Sequence, residues 1–432
     1  MEHFAIRDPI HEWIKCSPEE KEIVNSPLVQ RLKWVMQLSL VNQVFNGGTH
    51  SRFSHSLGAM KIAGEYMKHL FKYSLLRDAE LPEDSEYYIQ LARLAGLLHD
   101  IGHGPFSHSF DHTVYQEVHR IEDGGHDIAR FDLIKSELLA PYIKKCGIHV
   151  KDIAAVWNSS DDHDGMFKII HAAVEGPLGA DRIDFTRRDA YYTGTQHFGT
   201  IPYHRIIDNS SVMRIVRDGY PYWKLTYNFK CIRDIIRTLD GRLYLYHDVY
   251  FHKTSMAACL LVEEIMQLVC EPLELDEIVQ DPELFCLFND TTLLGMVENG
   301  RNFLKHGSDD IEKLKKWEKD LAKAKVLCHK LMIRQLPKML YEEIVNDLDH
   351  KYDEQKYIEE WFHGKNPDKF RIVKTRVIAG ISPKKFDTYG ILFTHYERST
   401  TEEQHLTCLQ ALEKIGYTPS QKPYYLVRGY LL

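Results

Sequence analysis

The stretch AGLLHDIGHGPFSH, residues 95–108, decides how this chain folds and where its chemistry lies. Apolar side chains recur at helical spacing from Leu91 to Leu98, which predicts a helix with one buried face. This helix runs into the adjacent pair His99 and Asp100, and two glycines and a proline then end it. An imidazole and a carboxylate at the end of a buried helix need partners or a metal ion, because burying them unpaired is costly.

Histidine is concentrated in and just after this stretch. Six of the 24 histidines lie between residues 99 and 126: His99, His103, His108, His112, His119 and His126. A lone histidine is most often a packed or an exposed side chain, but this concentration predicts a site that uses imidazole. We interpret His112 and His119 as surface residues, because the sequence around them is polar.

The composition describes an acidic globular protein. The 432 residues carry a formal net charge of −8, and 44% of them are hydrophobic. This charge argues against nucleic acid as the main partner and against binding to an anionic membrane surface. The sequence has no signal peptide and no uncharged apolar run of about 18 residues, and its cysteines form no CxxC pair. We therefore expect a soluble cytoplasmic protein with reduced thiols and no membrane partner.

Helical patterns dominate the first 300 residues. Residues 1–15 predict a strand and a turn, and Ser17-Pro18 and Ser26-Pro27 are signals that start helices. The apolar spacing predicts further helices near residues 54–73, 126–145, 166–192, 229–250 and 254–271. This region is therefore expected to be predominantly α.

The pattern changes after residue 300. Residues 309–330 predict a highly charged, solvated helix, whereas residues 370–396 and 424–432 are typical of strands. We therefore predict a mainly α fold, with a helical core over residues 1–300. A smaller C-terminal α+β lobe over residues 301–432 would serve assembly or regulation.

Four pieces of sequence together suggest a metal centre: His55 in RFSHSLG, the pair His99-Asp100, His126 in GGHDIARF, and Asp181 in GADRIDFTRRD. A single His-Asp pair is more often a capped helix end, so only the combination favours a site. Imidazoles and carboxylates from separate helices suit Mn²⁺, Fe²⁺, Co²⁺, Ni²⁺, Mg²⁺ or Zn²⁺. Such an ion lowers the pKa of its bound water and polarises a phosphoryl or carbonyl oxygen.

Motifs of several other enzyme classes are absent from the sequence. The chain has no GxxxxGK[ST], no GxGxxG after a predicted strand, no HExxH and no GxSxG. ATP-driven, dinucleotide-binding, zincin and serine-hydrolase chemistries are therefore excluded as first choices. No array of basic and aromatic residues indicates a protein that reads nucleic-acid sequence.

Seven ordered motifs resemble the HD-domain metal-dependent phosphohydrolase superfamily. They are FAIRDPIH, SPLVQRLKWVMQL, THSRFSHSLGAM, AGLLHDIGHGPFSH, GGHD, GADRIDFTRRDAYYTG and RLYLYHDVYFHKT, and they span roughly residues 4–260. Within this superfamily the chain looks most like the branch of deoxynucleoside triphosphate (dNTP) triphosphohydrolases, which has bacterial and archaeal members. The resemblance begins at once, so we expect no SAM domain before it.

The resemblance implies a catalytic metal centre and a group of side chains that face the substrate phosphates. The implied metal ligands are His55, His99, Asp100 and Asp181. The implied catalytic residues at the phosphates are Arg52, His103, His108 and His126. Of these, His126 is expected to donate a proton to the leaving oxygen.

Seven positions match substrate-binding residues of the family: Gln37, Leu38, Arg182, Phe185, Asp189, Arg242 and Tyr250. The two arginines match phosphate-binding positions, and Arg182 replaces a lysine, which changes the geometry of the donors. Phe185 stands where most members have a tyrosine that touches the triphosphate. This departure weakens the expectation of a triphosphate substrate, while the implied metal chemistry is unaffected.

Three positions match a site at which a guanine nucleotide activates members of this branch: Asn25, Gln30 and Arg31. Asn25 replaces an aspartate that reads guanine, and an amide cannot accept two guanine N–H bonds as a carboxylate does. We predict that the chain is constitutively active or uses a different activator base. Assembly and rate measured with and without GTP test this prediction, and a clear dependence on GTP would contradict it.

These residues lead to three hypotheses about function. The first is metal-dependent hydrolysis of dNTPs to deoxynucleosides and inorganic triphosphate. The second is an HD phosphatase or phosphodiesterase that acts on other nucleotides or on nucleic-acid ends. The third is a catalytically inactive, nucleotide-binding regulator, which is the least favoured because all implied ligands and histidines are present. The resemblance alone implies a homodimer or homotetramer.

Overall fold

The computed structural model describes residues 4–74, 81–120, 124–158, 165–217, 220–300, 311–345, 354–362, 369–377, 383–389, 391–396, 403–418 and 424–432. Over these residues the fold is mainly helical and includes three small sheets. The predicted mainly α fold with a smaller C-terminal α+β lobe is therefore confirmed. No helix in this described part of the chain is both long enough and apolar enough to cross a membrane.

The elements of the first 300 residues follow in chain order. The strands are β1 (Phe4–Asp8), β2 (Glu12–Cys16), β3 (Ser210–Arg217) and β4 (Tyr220–Asn228). The helices are α1 (Pro18–Val24), α2 (Pro27–Arg31), α3 (Arg52–Ser74), α4 (Ser85–Leu98), α5 (His108–Phe110), α6 (Gln116–His119), α7 (Gly125–Leu133), α8 (Ala140–Lys145), α9 (Val150–Trp157), α10 (Met166–Glu175), α11 (Ala180–Thr193), α12 (Tyr203–Asp208), α13 (Ile232–Leu245), α14 (Lys253–Val269), α15 (Leu275–Gln280), α16 (Pro282–Phe285) and α17 (Asp290–Glu298). Two π-helical turns span Asp111–Tyr115 and Tyr246–Tyr250.

The remaining elements lie in the part of the chain that is predicted to form the C-terminal lobe. Its helices are α18 (Ile311–Met332), α19 (Glu354–Phe362), α20 (Pro383–Thr388) and α21 (Cys408–Lys414). Its strands are β5 (Lys338–Val345), β6 (Phe370–Val377), β7 (Leu392–Tyr396), β8 (Glu403–Leu406) and β9 (Tyr424–Leu431). The predicted charged helix and both predicted β-rich segments are present.

The N-terminal elements form where the sequence predicts them. β1 and β2 pair as an antiparallel hairpin, with Ile6 opposite Ile14. Ser17 then caps α1, because its hydroxyl accepts from the Glu20 amide at 3.1 Å while the Glu20 carboxylate accepts from the Ser17 amide at 2.9 Å. This reciprocal capping box fixes the start of the helical core.

The helix predicted over residues 166–192 is divided into α10 and α11. The helical conformation is interrupted at Gly176-Pro177. Gly179 directly precedes α11, and a Cβ atom on it would lie 2.4 Å from the Val174 carbonyl oxygen. Glycine is therefore required for this close approach. The break leaves the carbonyl groups of residues 176 and 177 available to side chains of the site.

The sheets connect parts of the chain that are far apart in sequence. The four-stranded sheet has the order β3-β4-β7-β8, and its β3–β4 hairpin interrupts the predicted helical region. β7 pairs in parallel with β4, with Thr226 opposite Leu392. The three-stranded sheet has the order β5-β9-β6 and is antiparallel. The division of the chain at residue 300 stays a prediction, and residues 301–310 lie outside the described residues.

Two glycines let α3 approach its neighbours closely. A Cβ at Gly96 of α4 would lie 3.0 Å from the Ala59 carbonyl oxygen of α3. A Cβ at Gly58 of α3 would lie 1.9 Å from Oδ1 of Asp184, which is buried on α11. The close contact of these three helices brings their polar ends together at one place.

Gly58→Ala is expected to destabilise the protein by about 2 kcal/mol, because the added methyl group must displace buried, charged side chains. Gly295→Ala on α17 is the matched control, since a Cβ there meets nothing within 4 Å. Alanine should stabilise that helix by roughly 0.5–1 kcal/mol. Urea unfolding at equilibrium measures both variants. Equal stabilities would contradict the tight contact of α3 with α11.

Candidate metal centre and active site

The four implied metal ligands meet where α3, α4 and α11 come together. The Nε2 atoms of His55 and His99 lie 3.2 Å apart, and Oδ1 of Asp181 lies 3.2 Å and 3.5 Å from them. Oδ1 of Asp100 lies 3.3 Å from Nε2 of His99. Separations near 3 Å fit donor atoms that surround one ion at about 2.0–2.2 Å.

The hydrogen bonds of the two imidazoles fix which nitrogen faces this centre. Nδ1 of His55 donates to Oδ2 of Asp184 at 2.9 Å, and Nδ1 of His99 donates to the Gly96 carbonyl oxygen at 2.8 Å. Both acceptors lack a proton to give, so the neutral rings turn their Nε2 lone pairs toward each other and toward two carboxylates. Four acceptors that converge in this way fit a cation, so the residues present suit a divalent metal ion.

The charges of the site lead to the same conclusion. Burial opposes protonation of His55, but the carboxylates of Asp181, Asp184 and Asp100 outweigh it and raise the pKa of His55 to about 10. The pKa of His99 is also raised against its burial, because Asp100 and Asp181 lie beside it. The cluster therefore attracts positive charge, which a metal ion supplies without needing protons.

The buried carboxylate of Asp184 orients His55 through Nδ1, the ring nitrogen that does not face the metal centre. Besides accepting from His55, Asp184 accepts from Nε2 of His11 at 2.6 Å and from Arg188 at 2.8 Å and 3.0 Å. Arg188 also donates to Asp8 at 2.8 Å. This fully buried network holds the imidazole in one orientation and one tautomer, as carboxylates behind metal-ligating histidines commonly do.

Arg52 lies at the metal centre as the ion-pair partner of Asp100. One guanidinium nitrogen contacts Oδ2 of Asp100, and Nε donates to the Ser107 hydroxyl at 2.9 Å. Arg52 is buried at the start of α3. The arginine therefore positions this ligand, and the phosphate contact implied for it stays a prediction.

Three further histidines form a second cluster beside the metal centre. The rings of His103 and His126 stack with centroids 3.7 Å apart, and His108 lies 5.3 Å from His103. Oδ2 of Asp111 accepts from Nδ1 of His126 at 2.8 Å and contacts Nδ1 of His108 at 3.2 Å. Nε2 of His103 lies 3.4 Å from Oδ1 of Asp100, which joins the two clusters.

The stacked imidazoles have opposite electrostatic surroundings. Burial opposes protonation of His126, but its hydrogen bond to Asp111 outweighs burial and raises its pKa. The pKa of His103 is held well below its usual range by burial and by the positive charges of Arg52 and His126. One ring is therefore suited to give a proton and the other to stay neutral. His103, Asp111 and His126 also form a second group whose atoms are close enough to share a metal ion.

Exposure separates the remaining histidines of this region. The side chain of His108 is 66% exposed, so it reaches the solvent side of the cluster. The side chain of His112 is 51% exposed and contacts Glu263 at 4.0 Å, in agreement with its interpretation as a surface residue. His119 ends α6, and its side chain lies outside the described residues.

Two arginines are anchored on the break between α10 and α11. Arg182 donates to the Gly176 carbonyl oxygen at 2.7 Å, and Arg242 donates to the Pro177 carbonyl oxygen at 3.0 Å. Burial and the charge of Arg182 lower the pKa of Arg242 to about 10. The two guanidinium groups are thus anchored on neighbouring carbonyl oxygens, and the phosphate contact implied for them stays a prediction.

Two positions matched to a sugar pocket, Asp189 and Tyr250, are hydrogen-bonded to each other. Asp189 accepts from the Tyr250 hydroxyl at 2.5 Å and from Nε2 of His50 at 2.8 Å. The ring of Phe185 lies 6.4 Å from those of His55 and Tyr250. The Phe185 and Tyr250 rings therefore lie between His55 and Asp189.

Gln37 and Leu38 line the same region. Leu38 packs with Tyr250 against a small apolar cluster that includes Val41 and Leu245. The backbone N–H of Gln37 donates to the His50 carbonyl oxygen at 3.0 Å. The side-chain Oε1 of Gln37 is buried and has no hydrogen-bond partner among the described residues. Such an atom usually has a partner, so a ligand hydroxyl or amine is a suitable donor here.

The three positions matched to an activator site are spread around α1 and α2. Asn25 is exposed at the end of α1, and the side-chain amide of Gln30 donates to the Val24 carbonyl oxygen at 2.7 Å. Arg31 is buried, and its guanidinium donates to the carbonyl oxygens of Phe288, Ile101 and His103. Arg31 thus holds the loop that follows His99-Asp100. A nucleotide-binding role for the three positions stays a prediction.

Sequence reasoning missed the carboxylates that support the histidines. Asp111 follows the glycine-rich stretch inside a π-helical turn, a feature that often accompanies functional sites. Asp184 lies one helical turn after Asp181 and one before Arg188, a spacing that was visible in DRIDFTRRD. His11 and Asp8 had no signal of their own in the sequence.

The helical core brings histidines and aspartates together in the arrangement that the HD motif of the sequence predicts. Residues 52–175 match the HD domain family model. The chain therefore contains an HD domain over these residues.

Two relatives are similar to this chain over most of its length. The chain is 26% identical over 314 residues to an HD domain-containing protein of Acanthamoeba polyphaga mimivirus, covering 68% of this chain and 65% of that one. It is 23% identical over 385 residues to the deoxynucleoside triphosphate triphosphohydrolase SAMHD1 of Gallus gallus, covering 81% of this chain and 60% of that one. The chain thus spans less than two thirds of the length of these curated relatives.

A solved structure shares the whole fold. The crystal structure of a phosphohydrolase from Bacteroides thetaiotaomicron aligns with a TM-score of 0.69 and covers 100% of both chains. The two sequences are 20% identical, so this similarity concerns the fold alone.

Proposed function

We propose that this chain is a metal-dependent triphosphohydrolase that converts dNTPs and water into deoxynucleosides and inorganic triphosphate. The observation that carries the proposal is the pair of anchored guanidinium groups, Arg182 and Arg242, beside four converging acceptors in a protein of net charge −8. A divalent cation held by His55, His99, Asp100 and Asp181 would supply Lewis-acid chemistry at the phosphoryl group. Similarity to a protein named deoxynucleoside triphosphate triphosphohydrolase supports the substrate class.

The second histidine cluster fits the proton transfer that this reaction requires. Water adds to the α-phosphorus, the bond from phosphorus to the 5′ oxygen breaks, and the leaving oxygen takes a proton. His126 is the donor in this scheme, because Asp111 holds its Nδ1 and favours its protonated form. His103 stays neutral and stacks on it, and His108 faces the solvent side of the phosphates.

The region around Asp189 fits the deoxyribose. Asp189 would accept from the 3′-hydroxyl and the Tyr250 ring would stack on the sugar, an arrangement that the resemblance to the family implies and that excludes a 2′-hydroxyl. In this arrangement, Oε1 of Gln37, which has no partner among the described residues, accepts a hydrogen bond from the ligand. Leu38 and Phe185 supply apolar contact.

A substrate panel tests the proposal. We expect dATP to be hydrolysed with a kcat/KM at least ~10²-fold above that for ATP, because a ribose hydroxyl must be forced into a filled site. Mn²⁺ or Mg²⁺ is added to each reaction, and ion chromatography identifies the products. Inorganic triphosphate from dNTPs is the expected product, and orthophosphate from every nucleotide would contradict the proposal.

Phe185 favours one alternative within the hydrolases. It places an apolar ring where most dNTP triphosphohydrolases have a hydroxyl at the triphosphate, which suits a substrate with fewer phosphates. A phosphatase or phosphodiesterase would release orthophosphate from nucleoside monophosphates or cleave nucleic-acid ends in the same panel. Nucleotide binding without turnover would select the inactive regulator.

The proposed enzyme is a homodimer or homotetramer in the cytoplasm. Light scattering on the purified protein, with and without nucleotide, tests the oligomeric state. A monomer under all these conditions would contradict it. Elemental analysis of the same sample identifies the bound metal ion, with the first-row metals, Mg²⁺ and Zn²⁺ as the candidates.

A further inference from the structure

Helix α20 of the C-terminal lobe packs beside the phosphate-binding arginines. Directly after α20, the Tyr389 ring stacks on His171 of α10, with centroids 5.1 Å apart and an interplanar angle of 19°. The Tyr389 hydroxyl hydrogen-bonds to Arg182, and Phe386 is buried in the main core. The contacts of Tyr389 with His171 and Arg182, together with the buried Phe386 ring, therefore hold α20 next to Arg182.

The end of strand β6 lies beside the second arginine. Val377 is fully buried and belongs to an apolar cluster against which Leu243 and Phe251 pack. Leu243 directly follows Arg242 on α13. Arg376, the residue before Val377, is exposed on β6 and lies close enough to Lys385 for its charge to act on that lysine.

Lys385 lies one helical turn before Tyr389, whose backbone amide donates to the Lys385 carbonyl oxygen at 3.2 Å, so Lys385 is on the face of α20 that contacts Arg182. Burial and the positive charges of Arg182, Arg242 and Arg376 lower the pKa of Lys385 to about 8. Within the described residues, neither Lys385 nor Arg376 forms an ion pair with a carboxylate. The positive charges around Lys385 repel it, and a multiply charged anion relieves that repulsion.

We propose that the C-terminal lobe completes the polyphosphate subsite, with Lys385 and Arg376 binding the end of the triphosphate distant from the metal centre. The inference rests on the proposed function for the identity of the substrate and goes beyond it in assigning part of the active site to the lobe. Arg182 and Arg242 alone supply two positive charges, whereas a triphosphate carries more negative charges than that. Lys385 and Arg376 add two further positive charges on the side of the lobe.

Binding of inorganic triphosphate tests this assignment without requiring turnover. Isothermal titration of the full chain with sodium triphosphate, in metal-free buffer, gives a dissociation constant for each variant. Lys385→Ala is expected to weaken binding by about 10-fold, the usual effect of losing one charge-assisted contact. Arg376→Ala is expected to do the same and serves as the second variant if the first fails to fold. Lys384→Ala, an exposed lysine on the same helix, removes the same charge and should change binding less than about twofold.

The outcomes separate this inference from the proposed function. Equal dissociation constants for Lys385→Ala, Arg376→Ala and Lys384→Ala would overturn the inference, as would a wild-type chain that does not bind triphosphate. A chain that binds triphosphate through Lys385 but does not hydrolyse dNTPs would uphold the subsite and refute the proposed function. Unchanged hydrolysis of bis(4-nitrophenyl) phosphate by the Lys385→Ala variant would show that the metal centre is intact, and a loss equal to that with dNTPs would indicate a structural role and overturn the inference.

Discussion

Asp100→Ala should remove both the bound metal ion and hydrolysis, with a fall in kcat/KM of at least ~10³-fold. Oδ1 of Asp100 lies 3.3 Å from Nε2 of His99 and 3.4 Å from Nε2 of His103, so this carboxylate connects the two histidine clusters. Its loss leaves two imidazoles and Asp181 as ligands and deprives Arg52 of its buried partner. Elemental analysis of the purified variant and a dNTP hydrolysis assay measure the two effects.

Two controls keep this result interpretable. Breaking a buried ion pair costs about 3–5 kcal/mol, so circular dichroism must show that the alanine variant is folded. Asp100→Asn keeps the side-chain volume and should still lose the metal ion. Asp132→Ala removes a carboxylate that is 78% exposed on α7 and should leave metal content and rate unchanged. A metal-free, fully active Asp100→Ala protein would refute the proposed metal chemistry.

His126→Gln should lower kcat by about 10²–10⁴-fold, the usual contribution of a positioned general acid, while metal content is unchanged. The hydrogen bond from Nδ1 of His126 to Asp111 and its stack on His103 place it next to the metal centre but not among the implied ligands. His112→Gln, on the exposed face of the neighbouring π-helical turn, is the matched control and should retain the wild-type rate. Equal rates for the two variants would exclude His126 as the proton donor.

Asp111→Asn should move the alkaline limb of the kcat profile to lower pH. Asp111 raises the pKa of His126 in the folded protein, so the acid form persists to higher pH and activity is lost as the pH rises through that pKa. An amide in place of the carboxylate withdraws this stabilisation of the protonated ring, and its pKa falls. Rates measured across neutral and alkaline pH check the direction of the shift. An unchanged limb would show that another group limits the reaction.

The sequence predicted elements whose apolar spacing is regular. The stripe from Leu91 to Leu98 became α4, with His99 and Asp100 at its end, and the segment predicted near 54–73 became α3. These helices were predictable because one buried face imposes a period on the sequence. The convergence of His55 with His99 needed the resemblance, since a lone histidine in a helix has no local signal.

Features that depend on distant contacts were not predicted. The parallel pairing of β4 with β7 joins residues 226–228 to residues 392–394, and no local pattern encodes such a register. Asp111 and Asp184 act through hydrogen bonds to histidines far from them in sequence or on other helices. Tyr389 reaches Arg182 only through folding of residues after 300, which carried no recognisable motif.

The most direct test of the central claim is the fate of solvent oxygen during hydrolysis of dGTP in H₂¹⁸O, followed by ³¹P NMR and mass spectrometry. Attack of water on the α-phosphorus predicts one ¹⁸O atom in a terminal phosphoryl group of inorganic triphosphate and none in deoxyguanosine. Label in orthophosphate or pyrophosphate, or in the nucleoside, would contradict a triphosphohydrolase that acts at the α-phosphorus.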